Sequence, residues 1–376
     1  MLSVMLMMAL LSTLLIYSAE NEDLNIRRLS NIREAEQGFQ VSMGGEQWGV
    51  KVLEKDLTED LLKGEEYFDH PLEIWGQLGN AVEVEGTQSS MLVRIEDAQG
   101  RINLNNLIQR VPTEEERLAA ERARAAAAAT GDEEENQEEF EEEIYWYNIF
   151  KNLLITLGQD PELADVVADW IDSDDNTRGT TGAEDLYYQG LDDPYRTANR
   201  QMSSIAELSL LRGFDANLIA QLAPYVSALP VENANNLTKI NINTAEPVVI
   251  SALLAGDADL AANLGSFVEL RAVQPFVTVA DFVNSINATV AGGVPDGLSN
   301  LLDVKSDFYF NHSCAETGRV KLSQSSLLLK QRGQENVKVL SRERYFGCPN
   351  LDTGNSEETD TEAEAEQRSA EENSDA

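Results

Sequence analysis

The sequence is poor in the residues on which most enzyme chemistry depends. Its 376 residues include two histidines, His70 and His312, and two cysteines, Cys314 and Cys348. Neither histidine has a second His or a Cys nearby in sequence. There is no zinc-finger spacing, no Gly-x-Ser-x-Gly elbow and no phosphate-cradling glycine loop. Acidic pairs abound, but in so acidic a chain adjacency marks no tuned acid and base, and nothing supports an enzyme. Cations are also scarce: 28 Lys and Arg face 66 Asp and Glu, for a formal net charge of −38. Two runs account for −18 of this, nine acids without a base at 132–143 and ten acids with one Arg at 352–376, leaving −20 elsewhere. The clustered Lys and Arg that a phosphate backbone requires are missing, so nucleic acid is not an expected partner. The balance suits divalent cations and an exported protein. The two runs read as solvated, disordered segments.

What the chain does have is a greasy start. Residues 1–19, MLSVMLMMALLSTLLIYSA, carry no charge, and no proline interrupts residues 1–56. At about 1.5 Å per residue such a helix is roughly 28 Å long, enough to cross a hydrocarbon core. Residues 20–56 continue as a charged, periodically apolar stretch in which Gly38, Gly44, Gly45 and Gly49 weaken the turns without ending them. No Lys or Arg precedes Arg27 and Tyr17-Ser18-Ala19 is a poor cleavage signal, which argues against a secretory signal peptide. Two readings stay open at this point. One is a plain signal anchor. The other is a pilin-type helix whose first half sits in the bilayer and later packs in the core of a fibre. The basic leader ending in Gly that precedes such helices is absent; either it has been removed or the given Met lies inside the helix.

The two cysteines lie 34 positions apart with strand-like sequence between them. In an oxidising compartment they would form one bridge, contributing roughly 3–4 kcal/mol through loop-closure entropy. Membrane entry followed by export favours the bridge over two free thiols.

Along the chain, AVEVE (81–85), MLVRIED (91–97) and RINL (101–104) read as strands, with Ala98-Gln99-Gly100 as a hairpin turn between the last two. From about Asn105 the period becomes helical. Residues 114–129 are an Ala/Arg/Glu helix former and, with the acidic run, look like a loop insertion. A helix over 143–157 stops at Gly158, and Asp160-Pro161 opens another that runs to about Ile171. Ser204 to Glu207 forms a capping box, Asp215 and Thr244 cap further helices, and Thr278 to Asp281 forms a weaker box. Strand character returns at 303–310, 319–330 and 336–344, with a turn at 331–334. Sheet on both sides of a helical block signals an insertion: a small α+β domain interrupted by a large helical one. The four tryptophans, at 48, 75, 146 and 170, read as core or interface, and the two histidines as surface or satisfied structural groups.

The densest polar constellation is DWIDSDDN (169–176) followed by GAED (182–185). Asp172, Asp174 and Asn176 take positions one, three and five of a calcium loop. Thr177 stands where glycine is usual, and Glu184 falls one place beyond the bidentate carboxylate. This is not an EF-hand, but it has hard oxygen ligands on a tight loop after a helix. So many carboxylates repel one another unless a cation offsets them, which favours calcium over a merely solvated loop. Asp192, Asp193 and Asp215 are further possible ligands. The ININTA turn at 240–245 resembles one hairpin of helix-hairpin-helix DNA-binding modules, yet only Lys239 is basic nearby, so the turn reads as helix packing.

Several long motifs occur in a particular order: RIEDAQGRINLNNL (94–107), ADWIDSDD with GAEDLYY (168–188), PYRTANRQMSSIAELSLLRG (194–213), LAPYVSALP (222–230), ININTA and LDVKSDFYF. In this order the chain resembles the K minor pseudopilins of the type II secretion system, the GspK family, over nearly its whole length except 112–143 and the tail. The resemblance implies an α+β fold: a pilin-like long N-terminal helix plus a small antiparallel sheet, with a large all-α domain inserted between sheet strands. Its segments would be 1–19 as the apolar stem, 20–104 as the first part of the pilin-like domain, 105–301 as the helical insertion, 302–349 as the returning strands and 350–376 as an acidic tail. It implies a non-enzymatic, single-pass inner-membrane protein with its bulk in the periplasm, bound to the I and J minor pseudopilins at the pseudopilus tip. There it would start assembly and support export of folded proteins across the outer membrane. It also implies calcium in the helical domain, carried to Asp172, Asp174, Asp175, Asn176, Glu184 and Asp185 as candidate ligands. No Glu lies near the start of the apolar run, which is typical of K and fits a tip position. The wide helical domain fits too, since it would clash with a subunit stacked above. The rival expectation is a membrane-anchored periplasmic binding module of the helix-hairpin-helix type.

Overall fold

The computed structural model describes residues 2–64, 67–108, 146–233, 236–254, 268–289, 294–295, 297–331 and 336–348. The expected helix at 114–129, the acidic stretch 112–143, most of the 331–334 turn and the tail 350–376 lie outside the described residues. Among those described, the chain forms two compact units. The first is drawn from Met1–Thr58, Ile74–Glu96 and Phe310–Ala376, the second from Glu59–Glu73 and Asp97–Tyr309.

The first unit is organised by α1, Leu2–Lys63, one unbroken helix of 62 residues. From Ser3 it is long and apolar enough to cross a membrane, and its most apolar stretch is wholly exposed. Burial begins near Gly38 and takes in Val41, Val50 and Leu53. Here the helix meets a five-stranded sheet of order β1-β2-β7-β8-β9. The strands are β1, Val82–Val84; β2, Ser89–Asp97; β7, Phe308–Thr317; β8, Val320–Leu329; and β9, Lys338–Phe346. β1 runs antiparallel to β2, and β9 antiparallel to β8. Because β7 lies between β2 and β8, the sheet is complete only when the C-terminal strands return. The helical glycines allow close approach: a Cβ at Gly45 would stand 2.7 Å from Ser313 Cβ, and one at Gly49 would stand 2.0 Å from Asn311 Oδ1.

Buried polar pairs tie the helix to the sheet. Glu46 is fully buried and accepts from Arg342 Nε (2.6 Å) and Nη2 (2.9 Å), Gln324 Nε2 (2.7 Å) and Ser326 Oγ (2.6 Å). Burial works against its charge, but the hydrogen bonds from Arg342 and Ser326 prevail and hold the carboxyl below its ordinary range. Lys330 and Asp56 form a second buried pair at 2.8 Å. Cys314 on β7 and Cys348 after β9 are joined in a disulfide with Cα atoms 5.7 Å apart.

The second unit has one apolar core built on Leu104, Trp146, Phe150, Val166, Leu222, Ile250 and Phe282 among others. Among the described residues its helices are α2, Trp146–Thr156; α3, Leu163–Ile171; α4, Asp185–Tyr188; α5, Ala216–Leu222; α6, Pro247–Leu253; and α7, Val279–Thr289. Gly158 at φ +69 follows α2, in a conformation that glycine adopts without strain. Asp160 caps the turn ahead of α3 through the Glu162 N–H. Asp215 caps α5 through Leu218 N–H at 2.8 Å, and Thr278 and Asp281 exchange capping bonds at the start of α7. Ser204 caps a 3-10 turn, Ile205–Leu210, rather than an α-helix, and Glu207 accepts from Ser203.

Two expectations fail here. Ala98-Gln99-Gly100 is not a hairpin turn. It is a 3-10 turn begun by Asp97, whose Oδ1 accepts from Gln99 N–H at 2.8 Å, and a Cβ at Gly100 would press on Thr244 O at 2.9 Å. The next strand, β3 (Ile102–Asn103), therefore pairs in parallel with β4 (Val226–Ser227). Thr244 does not cap a helix either; its hydroxyl donates to Asp97 Oδ2 at 2.6 Å, and α6 begins after Glu246 with no side-chain cap.

The stretch expected to be all helix, 105–301, contains β4 and also β5 (Ile240–Asn241), which pairs in parallel with β6 (Leu302–Asp303) just past its end. β3 and β5 open the same local device. Asn103 and Asn241 each accept from the amide two residues on, at 3.1 and 2.9 Å. Asn105 and Asn243 each grip one distant residue by both backbone groups, Met202 and Phe276 respectively, at 2.8 and 2.9 Å in both cases. These two residues each lie two positions before a cap, Ser204 or Thr278. The asparagine side chains of the ININTA turn are thus buried and engaged in packing.

Candidate metal centre

α3 supplies the floor of the acidic centre. Asp165 and Asp169 lie four residues apart on one face and are both buried, Asp169 completely. The chain leaves the helix at Asp172, in an extended conformation, and returns at Glu184, which precedes α4. The intervening loop folds over the two aspartates. The Arg178 N–H bonds both oxygens of Asp169 at 3.1 Å. Glycine is required where the loop touches them: a Cβ at Gly182 would lie 2.3 Å from Asp169 Oδ2, and one at Gly179, φ +56, would lie 2.5 Å from Asp165 Oδ2. Tyr147 on α2 donates its hydroxyl to Asp165 Oδ1. Burial and that aspartate raise the phenol well above its usual range.

Glu184 is the centre's most telling residue. It is 4% exposed, and both carboxylate oxygens are buried without a hydrogen-bond partner among the described residues. Burial pushes it up to about 8, with further contributions from the charges of Asp169, Asp172, Asp175 and Asp174. Asp169 is raised to about 6, chiefly by burial. Asp172 is raised by burial and then by Asp174; its Oδ1 is buried without a partner among the described residues, and its Oδ2 lies 3.6 Å from Arg178 Nη2.

Of the candidate ligands read from the sequence, Asp172, Asp174, Asp175 and Glu184 are brought within electrostatic reach of one another. Asn176 is turned onto Asp174, whose Oδ1 accepts from its N–H (2.8 Å) and its amide (2.7 Å). Asp185 is engaged elsewhere: its Oδ1 accepts from Thr197 N–H (2.9 Å) and Oγ1 (2.8 Å), and its Oδ2 accepts from Gln189. Asp192 and Asp193 are exposed, and Asp215 caps α5. Asp169 was not among the candidates, although an acid inside ADVVADWI, an otherwise apolar helix, was a signal that could have found it. The set fits a hard cation on its own chemistry: oxygen donors throughout, two of them on a buried carboxylate that no described residue satisfies.

The histidines are structural groups. His70 Nδ1 accepts from Leu72 N–H at 3.2 Å, and His312 lies 3.8 Å from Glu96.

Two family profiles described as type II secretion system (T2SS), protein K, match this chain, one over residues 100–231 and the other over 240–305. Together they cover more than half of it, and each begins just ahead of, or on, one asparagine device. The chain belongs to the type II secretion system protein K family. Relatives named type II secretion system protein K include one from Pseudomonas aeruginosa, 28% identical over 89% of this chain and 88% of its own length. Another, from Aeromonas hydrophila, is 29% identical over 91% and 97%. In fold, this protein K chain is similar to a chain in the crystal structure of the GspK-GspI-GspJ complex from the enterotoxigenic Escherichia coli type 2 secretion system. The TM-score is 0.64, with 20% identity, covering 85% of this chain and 99% of that one.

Proposed function

We propose that this protein K chain is a minor pseudopilin that initiates the type II secretion pseudopilus in complex with the I and J minor pseudopilins. It is not an enzyme; its work is assembly. Residues 1–19 anchor it in the inner membrane and later pack against the stems of its partners, while the bulk of the chain stands in the periplasm. By starting the fibre it supports export of folded proteins across the outer membrane. The observation that carries this reading is α1: an exposed apolar half continuous with a half that packs on a five-stranded sheet. Membership of the protein K family and the likeness to a GspK-GspI-GspJ chain support it. Co-expression of the full chain with I- and J-type subunits, followed by purification in detergent, should yield one complex containing all three. Elution of this chain alone, with both partners present and folded, would contradict it.

The acidic centre is read as a calcium site held by Asp169, Asp172 and Glu184, with Asp174 and Asp175 at its exposed side. Bound calcium would supply the positive charge that offsets five converging carboxylates, pinning the loop between α3 and α4. Thermal unfolding of the full chain in detergent, with calcium and with chelator, tests the site; coincident curves would remove it.

A further inference from the structure

Arg178 stands out within the acidic centre because so much of the loop is built to hold it. Its carbonyl accepts from Gly182 N–H at 3.1 Å, and its own N–H spans Asp169. Its guanidinium lies 5.7 Å from the centre of the Tyr147 ring and 3.6 Å from Asp172 Oδ2, and its side chain is 30% exposed. We propose that Arg178 is a resident counter-cation of the centre, which steadies the carboxylates when no ion is bound and competes with a divalent ion for them. This rests on the calcium reading and adds to it a residue that sets the affinity.

The argument is one of differential interaction. Without an ion, the guanidinium is the charge that offsets Asp172 and its neighbours. With a divalent ion among the same carboxylates, the guanidinium keeps its attraction to Asp172 but now stands beside a like charge. Arg178 therefore stabilises the ion-free state more than the ion-bound state, and by linkage it must weaken ion binding. Partial exposure keeps the effect modest, on the order of three- to tenfold in affinity. The backbone bonds from residue 178 to Asp169 and Gly182 do not depend on its side chain, so a substitution there can remove the charge and leave the loop's frame intact.

The test is calcium titration calorimetry on the full chain in detergent, comparing wild type with Arg178→Gln and Arg178→Lys, alongside melting in chelator. Arg178→Gln should bind calcium roughly three- to tenfold more tightly and melt lower in chelator than wild type. Arg178→Lys, which keeps the charge, should stay within about twofold of wild-type affinity. Equal or weaker binding by Arg178→Gln, with wild type binding normally, overturns the role of Arg178 and leaves the calcium site standing. No binding by wild type overturns both.

Discussion

At the scale of single residues, the acidic centre turns on charge that the fold does not itself satisfy. Glu184 is buried, pushed up to about 8 and without a partner for either oxygen among the described residues, so in the ion-free protein it is already largely protonated and a neutral substitute costs little, whereas the ion-bound protein loses a ligand. Asp172→Asn combined with Glu184→Gln should leave melting in chelator unchanged or slightly raised. The same variant should abolish the gain on adding calcium, which in wild type is about 2.7 kcal/mol at a hundredfold excess over the dissociation constant. Asp97 offers a separate test, away from that centre. It is buried, with burial raising it from 3.8 to about 6 against the hydrogen bonds from Ser306 and Thr244. The folded state therefore holds its proton more tightly than the unfolded chain. The stabilising contribution is complete below about pH 4 and is lost as the pH climbs to about 6. Urea unfolding midpoints should fall across that interval, and Asp97→Asn should flatten the fall whatever its own cost. Much of the acidic loop was legible because ligand-type residues cluster in sequence. Asp169 was not selected, since its burial and its clasp by the Arg178 N–H are tertiary facts. Asp185 was selected by adjacency, and Thr197, twelve positions away, claims it.

At the scale of elements, two neighbouring glycines of α1 should respond oppositely to the same substitution. Gly44 is exposed with nothing within 4 Å of a built Cβ, so Gly44→Ala should stabilise by up to about 1 kcal/mol through helix propensity. Gly45→Ala would set a Cβ against Ser313 Cβ, Met91 Sδ and Val93 Cγ2, and should destabilise by about 1–3 kcal/mol despite the same propensity gain. Chemical unfolding of the two variants would show it; equal shifts would mean the helix does not pack on the sheet as described. The long helix and the returning strands were legible because their periods run for many residues. β3 and β5 were not, because two-residue parallel strands carry no period. The asparagines of the two devices, Asn103, Asn105, Asn241 and Asn243, answer to partners 33 to 174 residues distant, which no local pattern encodes. The expected hairpin at Ala98-Gln99-Gly100 failed for a related reason. Asp97 serves buried partners as far off as Ser306, and that demand overrides the local turn signal.

At the scale of the whole molecule, the chain carries a formal charge of −38, and its described residues divide into two folded units. On the proposed function, its contribution to secretion lies in the partners it binds and in standing at the end of the fibre it starts. The disulfide between Cys314 and Cys348 closes the first unit's sheet region, and Cys314→Ser with Cys348→Ser should cost roughly 3 kcal/mol in oxidising conditions. The central claim is a position, and it can be seen directly. Pseudopili assembled with an epitope-tagged copy of this chain, labelled with gold and imaged by electron microscopy, should carry label at one end only. Label spaced along the shaft, or fibres of normal number and length forming without this chain, would contradict the account.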